Sequence, residues 1–313
     1  MTRRGWALFA AMAVIWGIPY LLIKIAVGEL TPASLVFLRT LVGAALLLPV
    51  AAARGWLAPL FPYWRWVLVY TVVEVSAPWF LLADGERRLS SSLTGLMIAA
   101  VPLLAAVIQL LTRADDRMDR RRVTGLLVGF AGVAILVGLN VSFKDLGAVG
   151  EVGLVALGYA AGPIIIARRL PSLPAVGVVA ASLVLTALLY APVAIPQLPR
   201  ATPSGRVLLA VLILAVVCTA LAFLLFFALI TEVGPVRATV ITYFNPAVAL
   251  LLGVILLQEP FTVGAVVGFS LILAGSMLAT RRTSALGSAP VPSSTSWGAV
   301  ARYRRARQRR SQG

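Results

Sequence analysis

The chain contains no histidine, a single cysteine and few charged residues. Histidine is the commonest general base and transition-metal ligand, so its absence argues against a membrane metalloprotease and against a histidine-based proton relay. The single Cys218 excludes an intrachain disulfide. No G-x-x-x-x-G-K-[ST] motif is present, so direct coupling to ATP is not expected. We therefore expect no enzyme, no cofactor and no bound metal.

Charged residues make up 12% of the 313 residues and hydrophobic residues 60%, whereas an ordinary soluble domain carries about 25% charge. The mean hydropathy of +0.98 points the same way. This composition predicts an all-α integral membrane protein. Apolar windows of about 20 residues predict ten transmembrane helices, at 6–27, 34–53, 64–83, 90–111, 123–140, 150–168, 174–195, 207–229, 236–257 and 263–280. The first is expected to remain as a helix and not to be a cleaved signal peptide, since no small-residue cleavage site precedes the next span.

The sequence repeats itself at an offset of 142 to 144 residues. The matching positions are Pro19 and Pro163, Pro32 and Pro174, Pro49 and Pro192, Pro102 and Pro246, and Gly125 and Gly268. Five helices per copy is an odd number, so the second copy must enter the membrane from the opposite side. We expect two inverted five-helix repeats at 1–140 and 150–280, and a disordered basic cytoplasmic tail at 281–313. Such duplicated halves are typical of secondary transporters.

Basic residues predict the orientation, because they favour the cytoplasmic side. With the N-terminus inside, 20 of the 27 Lys and Arg residues fall on the cytoplasmic side or in the tail. We therefore expect a multi-pass protein of the cell (plasma or inner) membrane with both termini cytoplasmic. The tail, with eight arginines, is expected to lie on anionic lipid. Nucleic acid is not expected as a partner, because few aromatic residues accompany the arginines. The sequence does not indicate an oligomeric state.

Two groups of residues carry a family resemblance. In the first copy they are Trp16 to Pro19, Lys24, and Phe37 to Arg39 with small and leucine residues up to Pro49; in the second they are Val233 to Pro235, Val240 to Pro246, Gly253 to Glu259, and Gly268 to Gly275. This pattern resembles the EamA family of the drug/metabolite transporter superfamily over residues 6–280. The resemblance implies a ten-helix transporter with cytoplasmic termini and a central cavity, commonly an exporter of small metabolites. The chain departs from it at Asp115 or Asp116, which stand where the second copy has Glu259. It also departs in the sixth predicted span, where Tyr159 and a Gly162-Pro163 step replace the Trp-Gly pair.

Glu74 is the first candidate for a functional residue. It lies about ten residues from either end of the third predicted span, hence roughly 15 Å deep, where an ionised carboxylate is costly unless it meets water or a partner. The aligned position in the second copy is near Cys218 and Thr219, so the charge is not part of the repeated scaffold. Glu74 is either a proton-coupling or substrate-amine site, or a packing carboxyl that is protonated or locked to a neighbouring arginine.

Three basic residues lie within or beside predicted spans. Arg39 is expected either to reach the outer interface or to turn inward, where it would pair with Glu74 or bind an anionic substrate group. Lys24 and Arg168 occupy equivalent positions in the two copies. Each is either an interfacial snorkelling residue or part of a gate.

The prolines Pro102 and Pro246 interrupt the fourth and ninth spans, each as a hinge or as an ordinary kink. Polar residues flank the second break and are candidates for a cavity wall: Thr242, Tyr243 and Asn245.

The aromatic candidates are Trp16, Tyr20 and Tyr159, which either line the cavity or belong to interfacial belts. Trp16 and Tyr20 are expected to share one helix face. Glycines of the fifth and tenth spans predict close helix packing. Glu259 is expected to cap the tenth helix.

Together these patterns predict a secondary transporter of a small organic solute, most simply a metabolite exporter that works by alternating access. An importer or exchanger of an anionic metabolite is the alternative within transport. A channel or a structural membrane protein is the alternative of another class.

Overall fold

The computed structural model describes residues 1–112 and 119–280. Its described residues form ten helices that are long and apolar enough to cross a membrane, and they contain no strand, so the predicted all-α membrane class is confirmed. The predicted tail, Asp115 and Asp116 lie outside the described residues. The membrane helices are α1 (Arg3–Ala26), α2 (Pro32–Ala53), α3 (Ala58–Arg88), α4 (Ser91–Thr112), α5 (Arg120–Asn140), α6 (Phe143–Arg169), α7 (Ala175–Gln197), α8 (Gly205–Val233), α9 (Thr239–Leu257) and α10 (Val263–Thr280).

The helices pair between the two halves of the chain. The pairs are α1 with α8, α2 with α7, α3 with α6, α4 with α9, and α5 with α10. If each helix is replaced by its equivalent in the other half, for example α1 by α6 and α8 by α3, the same five pairs result. Individual contacts show the same symmetry. A Cβ at Gly43 would touch Thr219. The residues equivalent to these two, at an offset of 143, are Thr186 and Ser76, and their hydroxyls are 2.7 Å apart. This pairing is consistent with two inverted repeats.

The α5–α10 pair is held by direct contact between backbones. A Cβ added at Gly132 would lie 2.8 Å from the carbonyl oxygen of Gly268, and one at Gly125 would lie 2.5 Å from the backbone nitrogen of Ala279. Only glycine lets two membrane helices approach this closely, which is how small residues stabilise helix pairs in lipid. The glycines therefore have the packing role that the sequence predicts.

Three membrane helices are broken. In α1 the helical turns end at Ile15 and resume at Pro19. In α4 the break falls between Ile98 and Val101, where Ala99 and Ala100 make short-range backbone bonds to Leu96 and Met97. In α9 a short 3₁₀ segment precedes the helix Asn245–Leu257. Pro19, Pro102 and Pro246 each lie in the first turn after a break, where a missing N–H costs nothing.

Two other helices widen at equivalent positions. Thr71–Ser76 in α3 and Val216–Leu221 in α8 form π-helical turns. Such turns insert a residue into an α-helix and are found mostly at functional sites. Because α3 and α8 are equivalent in the two halves, the turns bring polar groups from both halves to the middle of the bundle.

Candidate functional site

Arg39 lies in the interior of the bundle, only 6% exposed. Its Nε donates a hydrogen bond of 2.9 Å to the Thr219 hydroxyl, and its guanidinium carbon lies 3.7 Å from the centroid of the Trp79 ring. The Thr219 hydroxyl in turn donates to the carbonyl of Leu214 at 2.8 Å. Of the two orientations predicted for Arg39, the structure therefore shows the inward one and not the one toward the outer interface. The ion pair with Glu74 is also absent from those that the described residues form.

The contacts of Arg39 stabilise its charge without using all of its donors. A desolvated cation over an indole ring gains about 2 kcal/mol, and the Thr219 bond satisfies Nε. Among the described residues the Arg39 side chain donates one hydrogen bond, that of Nε, so the two terminal nitrogens, which carry four of the five donors of a guanidinium, remain without a partner there. These nitrogens form the fork that binds carboxylate and phosphate groups.

Two tyrosines complete what we call the central cluster, which consists of Arg39, Trp79, Thr219, Tyr20 and Tyr159. Tyr20 and Tyr159 both lie within electrostatic range of Arg39. Tyr20 is buried on α1, and Tyr159 packs beside Trp79 from α6. Of the residues predicted from the sequence, the structure thus brings Arg39, Tyr20 and Tyr159 together.

Glu74 lies in the π-helical turn of α3, close to the central cluster. Its Oε2 is buried and has no hydrogen-bond partner among the described residues. The carboxyl packs against Gly162 of α6, where any added Cβ would collide with it. One turn earlier, a Cβ at Gly158 would collide with the Val73 carbonyl. Two glycines four residues apart therefore make room on α6 for the π-helical turn and its carboxyl.

Trp16 does not belong to the central cluster. Its ring packs on aromatic residues of α8, with centroids 4.6 Å from Phe226 and 6.0 Å from Phe223. Trp16 and Tyr20 do not share a helix face, because the break in α1 lies between them. The i, i+4 prediction for this pair is wrong, since it assumed an uninterrupted helix.

Asn245 joins the breaks of α1 and α9. With its side-chain amide oriented to suit its neighbours, its nitrogen donates to the carbonyls of Ala13 and Ile241, each at 3.0 Å. A Cβ at Gly17 would press on Val248 and on the Asn245 carbonyl, so the two breaks are in contact. Thr242 and Tyr243 lie away from the central cluster: Thr242 bonds the Thr239 carbonyl and Tyr243 approaches the Thr280 hydroxyl at 3.3 Å.

Lys24 and Glu259 converge on the turn between α3 and α4. Lys24 Nζ donates to the carbonyls of Glu86 and Leu89 at 2.6 and 2.7 Å. The Glu259 carboxylate accepts from the backbone N–H groups of Ser91 and Ser92, each at 2.8 Å. The prediction that Glu259 caps α10 is therefore wrong, since it caps α4. Lys24 binds buried carbonyls and does not snorkel, whereas its repeat equivalent Arg168 is exposed and bonds Thr112.

Three residues of this region were missed in the sequence: Trp79, Thr219 as a ligand of Arg39, and Glu86. Glu86 fell outside the predicted third span because the charged run Asp84 to Arg88 lowers the hydropathy there. The structure extends α3 through this run to Arg88. The spacing of Trp79, Ala83 and Glu86 could have predicted that the helix continues through this run, because the three residues lie on one helix face. All three are buried in the structure.

The architecture defines a polytopic helical membrane protein made of two five-helix halves that meet around a buried polar cluster. The family model of the EamA-like transporter family matches residues 3–138 and 152–281, so nearly all of both halves is covered. The chain belongs to this family.

Two relatives are named as transporters. The uncharacterized transporter YvbV of Bacillus subtilis (strain 168) is 25% identical over 288 residues, which cover 91% of this chain and 94% of YvbV. The uncharacterized inner membrane transporter YedA of Escherichia coli (strain K12) is 30% identical over 253 residues, covering 79% of this chain and 80% of YedA. A crystal structure matches with a TM-score of 0.64 at 23% identity, over 89% of this chain and 99% of that one, which shows a shared fold.

Proposed function

We propose that this transporter exports a small organic solute that carries an anionic group, by alternating access around the central cluster. The observation that carries the proposal is the buried Arg39 side chain, whose guanidinium stacks on Trp79 and donates a hydrogen bond among the described residues through Nε alone. A buried cation is costly in a membrane interior and marks a substrate or ion pathway. Import or exchange of such a solute would use the same site.

The mechanism follows from where the helices are broken. The breaks in α1, α4 and α9 lie between the two halves and provide the hinges, with Pro102 and Pro246 fixing their positions. Glu74 serves as the coupling carboxyl, because it lies beside the cluster and its Oε2 has no partner among the described residues. A solute at Arg39 would thus be released to one side or the other as the hinges bend.

Flux into proteoliposomes tests this function. A thermal-shift screen of the purified protein against amino acids, sugars, phosphorylated metabolites and cationic drugs would first identify the solute. We expect saturable flux, and slower turnover in the Pro102→Ala/Pro246→Ala variant, because an alanine N–H at each position can bond the carbonyl four residues back and extend the helix across the break, which opposes bending. Flux that does not saturate would favour a channel, and no flux would favour a structural role. Unchanged turnover in the double variant would make both prolines ordinary kinks.

We propose further that the protein lies in the cell membrane, which the name of the relative YedA as an inner membrane transporter supports. Both termini are cytoplasmic in this proposal, which rests on the distribution of the basic residues. Single cysteines at Arg121 and Glu259, placed in a Cys218→Ser background, should react with membrane-impermeant reagent from opposite sides. Position 121 is expected to react only from the cytoplasm. Labelling of both positions from one side would contradict the ten-span orientation.

A further inference from the structure

Glu86 is a fully buried carboxyl near the end of α3, with 0% exposure. Neither of its carboxyl oxygens has a hydrogen-bond partner among the described residues. An ionised carboxylate without donors is strongly unfavourable in a protein interior, so this arrangement suits a carboxyl that holds a proton. The proposed transport mechanism makes no use of this group.

The charged and titratable groups around Glu86 come from four helices or their ends. Lys24 and Glu259 lie within electrostatic range of it, and so do the two tyrosines of the central cluster. On its own helix Arg88 pairs with Glu151 of α6, and Glu151 packs beside Gly85. The one ammonium among these groups, that of Lys24, is bound to carbonyls and not to the Glu86 carboxyl.

Lys24 and Glu259 form a clasp on the turn between α3 and α4. Lys24 binds two carbonyls at the C-terminal end of α3, and Glu259 binds two N–H groups at the N-terminal end of α4. Each charge therefore complements the dipole of the helix end that it holds. Since Lys24 belongs to α1 and Glu259 follows α9, the clasp ties α1 and α9 to the α3–α4 hairpin.

An open cleft reaches this turn from the end of the bundle. It has a volume of about 170 Å³, and its lining includes Leu89, Ser90 and Ser92 of the clasped turn. Polar groups of α5 and its neighbours line the opposite side, among them Asn140, Asp145 and Thr262. The cleft therefore borders the clasped turn at Leu89, Ser90 and Ser92.

We propose that Glu86 is a proton-binding site that opens and closes this clasp, and the inference rests on the proposed transport function. With a proton on Glu86, the Lys24 ammonium stays on the carbonyls of Glu86 and Leu89, as in the structure. Loss of that proton to solvent leaves a buried carboxylate beside the ammonium. Lys24 then turns to the carboxylate, the two carbonyls are released, and the α3–α4 turn is free to move as a gate.

Hydrogen–deuterium exchange of the purified protein, without solute, tests the switch. After correction for the intrinsic exchange rate, protection of the amides at 89–93 should fall about tenfold between about pH 5 and about pH 9 in the wild type, because charge-assisted bonds to the turn are lost. Glu86→Gln should keep high protection at every pH. Lys24→Met should have low protection at every pH.

Glu29→Gln is the matched control. Glu29 is exposed and accepts a 2.8 Å bond from the Ser204 backbone N–H, and bonds from Ser204 hold the pKa of Glu29 below its ordinary value. It stays ionised over this range, so its replacement should leave the wild-type profile unchanged. A wild-type pH profile in Glu86→Gln, or in Lys24→Met should Glu86→Gln fail to fold, would overturn the proposal. A wild type without pH dependence would also overturn it, and neither result would bear on solute flux.

Discussion

Arg39→Gln should slow transport at low solute concentration by about 100-fold or more, the largest effect expected from any single change in this protein. Charge-assisted hydrogen bonds to an anionic group contribute about 1.5–3 kcal/mol each, so losing the guanidinium fork should raise the KM of the solute by about 100-fold or more. Arg39→Lys should restore little, because an ammonium neither forms the fork nor stacks flat on Trp79. Initial rates in proteoliposomes against solute concentration measure the change.

The control for this prediction is the same substitution at the end of the same helix. Arg54 is exposed at the C-terminus of α2, and Arg54→Gln should transport as the wild type does. Thermal unfolding of Arg39→Gln should remain close to that of the wild type, since replacing a buried cation removes its desolvation cost along with its contacts. A wild-type KM in Arg39→Gln would contradict the central cluster as the solute site.

Glu74→Gln should remove the pH dependence of transport, or block net flux while exchange continues. The amide keeps the shape that packs against Gly162 but carries no titratable proton. Insertion and thermal stability should change little, because the described residues give Glu74 Oε2 no partner that would be lost. The measurements are flux driven by a pH gradient and exchange with labelled solute at equal pH on both sides.

Glu232→Gln provides the comparison for Glu74. The Glu232 carboxyl bonds the Thr2 hydroxyl at 2.5 Å near the N-terminus of α1, away from the central cluster. Its replacement should leave both rate and pH profile unchanged. If Glu74→Gln also transports with the wild-type rate and pH profile, Glu74 only fills the space beside Gly162, and the coupling proton binds elsewhere.

The sequence was sufficient for the architecture because the bilayer sets simple rules. Spans follow from hydropathy, and each half follows from the repeated Pro and Gly positions, so the ten helices and the packing role of the glycines in α5 and α10 could be predicted. These features depend on local composition or on residues at equivalent places in two copies. Each of them survives an error of a few residues at a helix end.

The contacts of the candidate site could not be predicted in the same way. Arg39 and Thr219 are 180 residues apart in the chain, and a hydropathy window does not say which way a guanidinium turns. The apolar amino-acid composition of a span gives no sign of a π-helical turn. The charged run that ends at Arg88 also hid Glu86, because it resembles a loop while it forms the last turns of a helix buried on one side.

The glycine contacts between α5 and α10 restrict the positions at which substitutions can change the solute preference. Main-chain atoms face one another there, so a larger side chain at Gly125, Gly132 or Gly275 would force the two helices apart. The groups that contact the Arg39 guanidinium are the side chains of Trp79 and Thr219, where a substitution does not force two backbones apart. The α5–α10 contact therefore acts as a fixed joint in this protein, whereas the residues around Arg39 can be exchanged to suit a different solute without separating two helices.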